Sequence, residues 1–467
     1  MNDTKKTDIE QLADIYLACL EFGTVKIWEE KELLLLMDHF AAERQFDRSL
    51  DICEDGLLSY PYSLAFYLKK ILYLLEMGRF REVPALLDHV QVLSPKNQTI
   101  VLLRARMLFK LNKNAEALAL LEGMEGKFDP AGTSESLVLQ ASILEEEGKL
   151  ELLFPLLSQA VWADSKNEEA MEFLWSCVES GKKYQESLPV FSRVLDMDPY
   201  NGLAWYYLGL SHSYLGFYEE ALEALEFAFL STPKLEIAYR EYANLCFELR
   251  KFREARDVYE EMIALFVSDP EVLLACGLSW LELEDETKAL SYFRKALRSD
   301  PMNDEVLYHI GEIHLRHAEW KKAGQYYRRA IAIEDQREEY HASLGIAYQR
   351  LGEETKAESC FQEALNLAPS ESKYWLFYLS FLIQADRKQE AIDLARAGES
   401  ETEGSVLVFA MVACLLAAGR RQEALLALGN ALEEDYPTHT ILFSLLPDTE
   451  VDPDISEMLA YYRPEAS

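Results

Sequence analysis

The sequence predicts an all-α chain, a solenoid of about twelve antiparallel helix pairs with a helical cap at either end. Three observations lead there. The first is a 34-residue period, clearest between Gly202 and Glu371. Trp205, Leu208, Gly209, His212, Ala221, Leu225, Ala228 and Pro233 return two periods on as Leu273, Cys276, Gly277, Trp280, Ala289, Phe293, Ala296 and Pro301. The second is spacing inside the period. Large apolar residues fall at the fourth, seventh and eleventh places, then at the twentieth, twenty-fourth and twenty-seventh, each a stripe of helical steps. The third is the break between the stripes, often glycine (Gly78, Gly148, Gly216, Gly352, Gly419), which accepts the left-handed conformation that closes a helix.

In chain order, residues 1–29 are expected to form an N-terminal cap, with one amphipathic helix from Thr7 to Ile27 and Ile9, Leu12, Ala13, Tyr16 and Leu20 on one side. Residues 30–438 form the array. Its units start near Glu30, Leu64, Gln98, Ser134, Glu168, Gly202, Glu236, Pro270, Asp304, Glu338, Ser372 and Ser405. The unit from Gln98 runs about two residues long, its final helix continuing into Asp129-Pro130-Ala131-Gly132. The eighth and twentieth places want small side chains because the paired helices cross closest there. Alanine fills the twentieth in eight units, from Ala117 to Ala424. Proline after the second stripe (Pro61, Pro95, Pro199, Pro233, Pro301, Pro369) stops that helix. Looser or shifted packing is expected where Trp175 replaces a small residue and where Asp386 and Glu403 replace the turn glycine and the proline. Residues 439–467 read as a C-terminal cap, with a short apolar helix (Ile441, Leu442, Leu445, Leu446) and a last helix around Ile455 to Tyr461.

The residues at these offsets resemble the tetratricopeptide repeat, and the stretch NGLAWYYLGLSHSYLGFYEEA (201–221) is similar to that consensus almost residue for residue. The resemblance implies a right-handed superhelical solenoid whose first helices line a concave groove. It also implies that places two, five, nine, twelve and thirteen of those helices contact peptides.

Carried onto this chain, those offsets present a carboxylate-rich lining of Glu135, Glu145, Glu146, Glu169, Glu172 and Glu179. An apolar-aromatic strip follows: Tyr206, Leu210 and Tyr214, then Arg240, Asn244 and Phe247, then Leu274, Leu278 and Leu281, ending at Tyr308 and Arg316. Apolar strips with polar rims mark interaction sites, unless curvature buries them against neighbouring units. Co-chaperones of the family hold a terminal carboxylate with Lys and Asn, then Asn, then Lys and Arg. Arg240 and Asn244 approximate the first pair, but Ala275, Glu305 and His309 stand at the other three places, so that clamp is not expected here.

Composition sets the remaining bounds. The net charge of −35, from 81 acidic and 46 basic residues, disfavours phosphate binding and hence nucleic acid. It serves solubility by self-repulsion or attracts basic partners. The charge is uneven: Val194 to Pro233 contains no lysine or arginine, while Lys321, Lys322, Arg328 and Arg329 crowd one outer helix. Seven scattered cysteines, none in a CxxC pair, fit a reducing compartment, with Cys53, Cys246 and Cys276 on core stripes. The N-terminus lacks a signal-peptide core, and the longest apolar run, Val406–Ala418, is too short to span a bilayer. A cytoplasmic, acidic protein with no membrane association is expected.

No catalytic motif is present: no Walker loop, GxGxxG, HExxH or GxSxG. His309, His314 and His317, with His341 one unit on, lack further ligands at metal spacing, and His314 falls on a core stripe. No cofactor, metal or enzymatic activity is expected. The leading reading is a non-enzymatic scaffold or adaptor that binds an extended or helical segment of another protein, a basic one by charge. A self-associating assembly protein and a regulatory subunit of an enzyme complex stay open as alternatives, and no sequence feature speaks for a homo-oligomer.

Overall fold

The computed structural model describes residues 2–22, 26–124, 126–267 and 269–463. Among the described residues every regular element is helical. The chain divides into two compact units, Met1–Tyr242 and Ala243–Ser467. The first contains α1 (Asn2–Phe22) and the pairs α2 (Glu30–Ala42) and α3 (Phe46–Ser59), α4 (Leu64–Glu76) and α5 (Val83–Leu93), and α6 (Gln98–Lys110) and α7 (Asn114–Glu122). It continues with α8 (Pro130–Glu146) and α9 (Leu153–Ala163), α10 (Glu168–Gly181) and α11 (Tyr184–Met197), and α12 (Gly202–Tyr214) and α13 (Tyr218–Ser231). Helix α14 (Glu236–Glu248) crosses the division and precedes α15 (Phe252–Leu265). Then come α16 (Pro270–Glu282) and α17 (Glu286–Ser299), α18 (Asp304–Arg316) and α19 (Trp320–Ile331), and α20 (Glu338–Leu351) and α21 (Glu354–Leu367). The array closes with α22 (Ser372–Gln384) and α23 (Lys388–Glu401), α24 (Val406–Ala417) and α25 (Arg421–Glu434), α26 (Thr440–Leu445) and α27 (Pro453–Tyr462). Within each compact unit a helix packs on its partner, and first helices touch the next first helix, as α6 on α8 and α18 on α20. That is the all-α repeat architecture anticipated from the period.

Crossing distance inside a pair follows the eighth place. Where it is glycine, as Gly209, Gly277, Gly311 and Gly345, the two helices approach most closely. A β-carbon added at Gly277 would lie 2.4 Å from the Phe293 ring, and at Gly345 2.7 Å from the Phe361 ring. Trp175 occupies the same place in α10, and α10 meets α11 far less closely. Its indole instead stacks on Tyr207, with centroids 5.2 Å apart and planes 17° apart. The bulky residue loosens its own pair and ties it to the next one.

All turns between paired helices share one device, a residue with positive φ. Gly78, Gly148, Gly216, Gly352 and Gly419 adopt it, and so do Arg44, Asn112, Lys182, Arg250, Glu284, Ala318 and Asp386. Asp386, at φ +59°, thus closes its turn as glycine does, while α22 meets α23 less closely than the glycine-crossed pairs meet, in line with the looser packing expected there. An L-residue in this conformation costs about 1–2 kcal/mol, against roughly 0.5–1 kcal/mol of extra chain entropy lost by glycine. Ala318→Gly is therefore expected to raise stability by about 0.5–1 kcal/mol, read as a higher denaturation midpoint; an unchanged or lowered midpoint contradicts the strain.

Three sequence expectations need correction. The second helix of the Gln98 unit does not run into Asp129–Gly132: α7 ends at Glu122, and those residues open α8. Pro130 sits where a missing N–H costs nothing, and the Asp129 carboxylate accepts from Gly132 N at 2.7 Å. The N-terminal helix stops at Phe22, and Ile27 lies exposed outside it, while residues 23–25 are outside the described residues. Ala13 and Tyr16 do pack into the core with Leu12 beside them; the Leu20 side chain is outside the described set. His314 is not a simple core residue, because its Nδ1 meets a Glu319 carboxylate oxygen at 2.5 Å and its ring stacks on Tyr326.

At the C-terminus α26 buries Leu442 and α27 buries Ile455 against the last pairs, and Arg421 ties α25 to Asp452 and Asp454 at 2.7 Å each. No helix among the described residues is long and apolar enough to cross a membrane.

Candidate functional site

First helices expose one face away from their partners, and in the first compact unit that face is hollowed into a cleft. A depression of about 530 Å³ opens over α4, α6, α8 and α10, with Leu72, Leu102 and Leu139 beside Arg106, Glu135 and Glu169. A second hollow of about 180 Å³ shares Arg106, Leu139 and Glu169 and leads on to Glu76, Phe109 and Ser142. The walls are tied together at their N-terminal ends. The Gln98 side chain of α6 accepts from Asp129 N at 2.8 Å, and Asn167, which caps α10, donates to the Ser134 hydroxyl of α8 at 2.8 Å. Spacing between the first helices is thus set by side chains at helix starts.

Charge in the cleft is asymmetric. Glu135 is held above the usual carboxylate range, first because the cleft desolvates it, with Arg106 opposing and Glu169, Asp129 and Asp164 pushing the same way as burial. Arg106 forms no ion pair among the described residues. The result is an apolar floor, one central guanidinium and a rim dominated by carboxylates.

Of the acidic candidates, Glu135 and Glu169 line this cleft, and Glu145 borders a third hollow of about 370 Å³ with Phe173, Ser176 and Lys183. Glu146, Glu172 and Glu179 are exposed on the same helices. Glu179 accepts from the Tyr214 hydroxyl at 3.5 Å, which joins the acidic set to the aromatic one. The Tyr214 ring is exposed and lies flat on Tyr184, centroids 4.4 Å apart. Leu210 is half-buried, and Arg240 pairs with Glu236 at 3.1 Å.

Two of the aromatic-strip candidates are largely buried, to the same degree as the cleft-floor residues Leu102 and Leu139: Tyr206 and Leu274 are 9% and 8% exposed. Both occupy the fifth place of their units, as does the exposed Glu172. Tyr308, at the same place of its unit, stacks on Tyr340 of the next first helix with centroids 4.9 Å apart. In the second compact unit Asn244 accepts from the Tyr259 hydroxyl at 2.6 Å, Phe247 packs edge-on to Phe252, and Leu278 and Leu281 are half-buried. Arg316 pairs with Glu286 at 3.2 Å. Glu305 lies 4.0 Å from His309, so the places a carboxylate clamp would need hold an acid and its own partner.

Sequence reasoning missed Leu72, Leu102, Arg106 and Phe109. The signal existed. The offsets that selected Glu135 and Glu169, applied one unit earlier, give Thr99, Leu102, Arg106, Phe109 and Lys110, and each of these borders one of the two hollows.

Nucleophiles and metal-binding side chains are engaged or buried separately. Cys53, Cys177, Cys246, Cys276 and Cys414 are buried. His309, His314 and His317 each face a different carboxylate, Glu305, Glu319 and Glu286. No group of three metal-binding side chains occurs among the described residues.

Comparison with known proteins recognises the repeat. A family model described as tetratricopeptide repeat matches residues 208–271 and 277–338, and a second of the same description matches 338–371. No curated protein matches the chain in sequence. Among solved structures, YrrB, a TPR protein with an unusual peptide-binding site, is similar with TM-score 0.35 and 16% identity over 39% of this chain and 95% of that one. The MamA protein is similar with TM-score 0.34 and 17% identity over 37% of this chain and 94% of that one. The APC/C hetero-tetramer Cut9-Hcn1 is similar with TM-score 0.39 and 13% identity over 97% of this chain and 99% of that one.

Proposed function

We propose, from the premise that this chain belongs to the tetratricopeptide repeat family, that it is a non-catalytic scaffold binding a segment of another protein along the first-helix face. The cleft over α4, α6, α8 and α10 is the observation that supports this reading most. It offers an apolar floor at Leu72, Leu102 and Leu139 to bury side chains, and carboxylates at Glu135 and Glu169 to receive cationic ones. Tied helix starts hold that surface ready, so little ordering entropy is lost on the scaffold's side when a segment binds. Exposed Glu172 and Glu179, and the Tyr184–Tyr214 stack beside Glu179, extend the same face towards α12. The segment it suits is extended or helical, with lysine or arginine among its apolar residues. Cytoplasmic residence belongs to the same reading.

Peptides selected from a random display library against the protein test it. Enriched sequences are expected to be basic and apolar. Their affinity should fall about tenfold or more, roughly 1.4 kcal/mol, in Glu135→Lys/Glu169→Lys with helicity preserved. No enrichment, or equal affinity for that variant, contradicts the reading.

A further inference from the structure

The segment without lysine or arginine, Val194 to Pro233, contains a surface that the first-helix face does not use. Helix α13 buries Ala221, Leu222, Ala224, Leu225, Ala228 and Phe229, yet Phe227 and Leu230, one turn apart on its outer side, are 51% and 62% exposed. Other units vary there. At the place of Phe227 neighbouring units carry Arg193, Glu261, Lys295, Arg329 and Glu363; at the place of Leu230 units carry Asp196, Ala264, Arg298, Ala332 and Asn366, and also Leu58, Val92 and Trp162. The fold therefore does not ask for apolar residues at these two positions. The Phe227 ring stacks on Trp205 with centroids 5.0 Å apart, and the Trp205 indole donates to the Pro199 carbonyl at 2.9 Å. Next to Pro199, Tyr200 is 79% exposed. Tyr200, Trp205, Phe227 and Leu230 thus extend an apolar ribbon from the turn before α12 across to the outer side of α13.

We infer that this ribbon is a second protein-docking surface, and that its occupant is an apolar segment flanked by lysine or arginine on a different protein. Charge decides between occupants. The segment holds six acidic residues, Asp196, Asp198, Glu219, Glu220, Glu223 and Glu226, and no basic one. Glu223 and Glu226 are exposed on α13 beside the apolar pair and form no ion pair among the described residues. A second copy of the same surface would set these carboxylates against each other, whereas a basic segment neutralises them while its apolar residues cover Phe227 and Leu230. Binding here is separate from the first-helix cleft, so a scaffold could hold two partners, or two segments of one.

The test uses a fluorescein-labelled amphipathic peptide with leucines at helical spacing and lysines between them, and a twin with every lysine changed to glutamate. Anisotropy should show saturable binding of the lysine peptide and at least tenfold weaker binding of the glutamate twin. Measured in the Glu135→Lys/Glu169→Lys background, which removes the first-helix cleft as a competing site for the same peptide, saturable binding should persist, and adding Phe227→Lys/Leu230→Arg, which installs the residues of the Pro270 unit, should weaken it tenfold or more. Hydrogen exchange should slow in α13 when the peptide is added. If circular dichroism shows the Phe227→Lys/Leu230→Arg protein misfolded, Phe227→Ser takes its place with the same expected loss. Absence of saturable binding, equal binding of the two peptides, or protection confined to α6, α8 and α10 overturns the inference. So does a concentration-dependent rise in mass by light scattering that the Phe227 variants abolish, which would make the occupant a second copy.

Discussion

Replacing Gly311 with valine is expected to destabilise the α18–α19 pair by about 2–4 kcal/mol, among the larger single-residue effects in the chain. The reason is geometric. A β-carbon at Gly311 would lie 2.5 Å from Cε1 and 2.8 Å from Cδ1 of Tyr327. Tyr327 cannot swing aside, because it is fully buried and its hydroxyl donates to Glu312 Oε1 at 2.5 Å. Helix propensity pulls the other way, since glycine inside a helix is disfavoured by about 0.5–1 kcal/mol, but the overlap is the larger effect. Gly324, on the partner helix, supplies the opposite case. Its added β-carbon would meet only Leu344 Cδ1 at 3.6 Å and Ala347 Cβ at 4.0 Å. Gly324→Ala should therefore stabilise by about 0.5–1 kcal/mol. Denaturation followed by far-ultraviolet circular dichroism separates the two; equal effects would show that propensity, not packing, governs these positions.

The second large effect is expected at Trp280. This side chain is 7% exposed in α16, and its indole N–H donates to Glu260 Oε1 at 3.1 Å. Lys288 Nζ sits 3.7 Å from the ring centroid, and the Arg256 guanidinium 4.6 Å from it. Tyr292 donates to the same Glu260 oxygen at 2.9 Å, so the residue joins α15, α16 and α17 through one carboxylate. Trp280→Ala should cost about 3–5 kcal/mol, mostly lost packing and the cavity left behind. Trp280→Phe keeps an aromatic face for both cations and should cost about 1–2 kcal/mol, largely the hydrogen bond. Because repeat units contact only their neighbours, the loss should show as faster hydrogen exchange in residues 252–299. A loss in Trp280→Phe as large as in Trp280→Ala would mean the Glu260 bond outweighs the packing.

These two cases show which parts of the fold were legible in residue order. Gly311 and its partner Tyr327 stand at the eighth and twenty-fourth places, and the period alone identified both as contact positions. The turn residues were legible only where glycine stood. Arg44, Arg250, Glu284 and Ala318 adopt the same left-handed conformation, but nothing in their side chains announces it. Their φ is imposed by two helices that must pack, an influence from outside the turn. The start of α8 was misread because Asp129-Pro130 can end one helix or open the next. The cap bond from Gly132 N settled it, and that bond is invisible in sequence.

The candidate surface divides similarly. Glu135 and Glu169 were found because position along a first helix fixes which way a side chain faces. Tyr206 and Leu274 share that logic but lie largely buried, while Glu172 at the same place of its unit is exposed, so the offset alone does not fix burial. Arg106 and Leu102 needed only the same offsets carried one unit towards the N-terminus. Phe227 was legible as a departure only by comparing equivalent places across units, and the exposure of Phe227 and Leu230 needed the structure.

The central claim is that partner segments lie on the first-helix face of the N-terminal compact unit. It is tested most directly by mapping contact with a photo-reactive benzophenone derivative of a library-selected peptide. Cross-links are expected within residues 98–110, 130–146 and 168–181, and should be lost with Glu135→Lys/Glu169→Lys. Cross-links confined to the second helices α7, α9 and α11, unchanged by that variant, would contradict it.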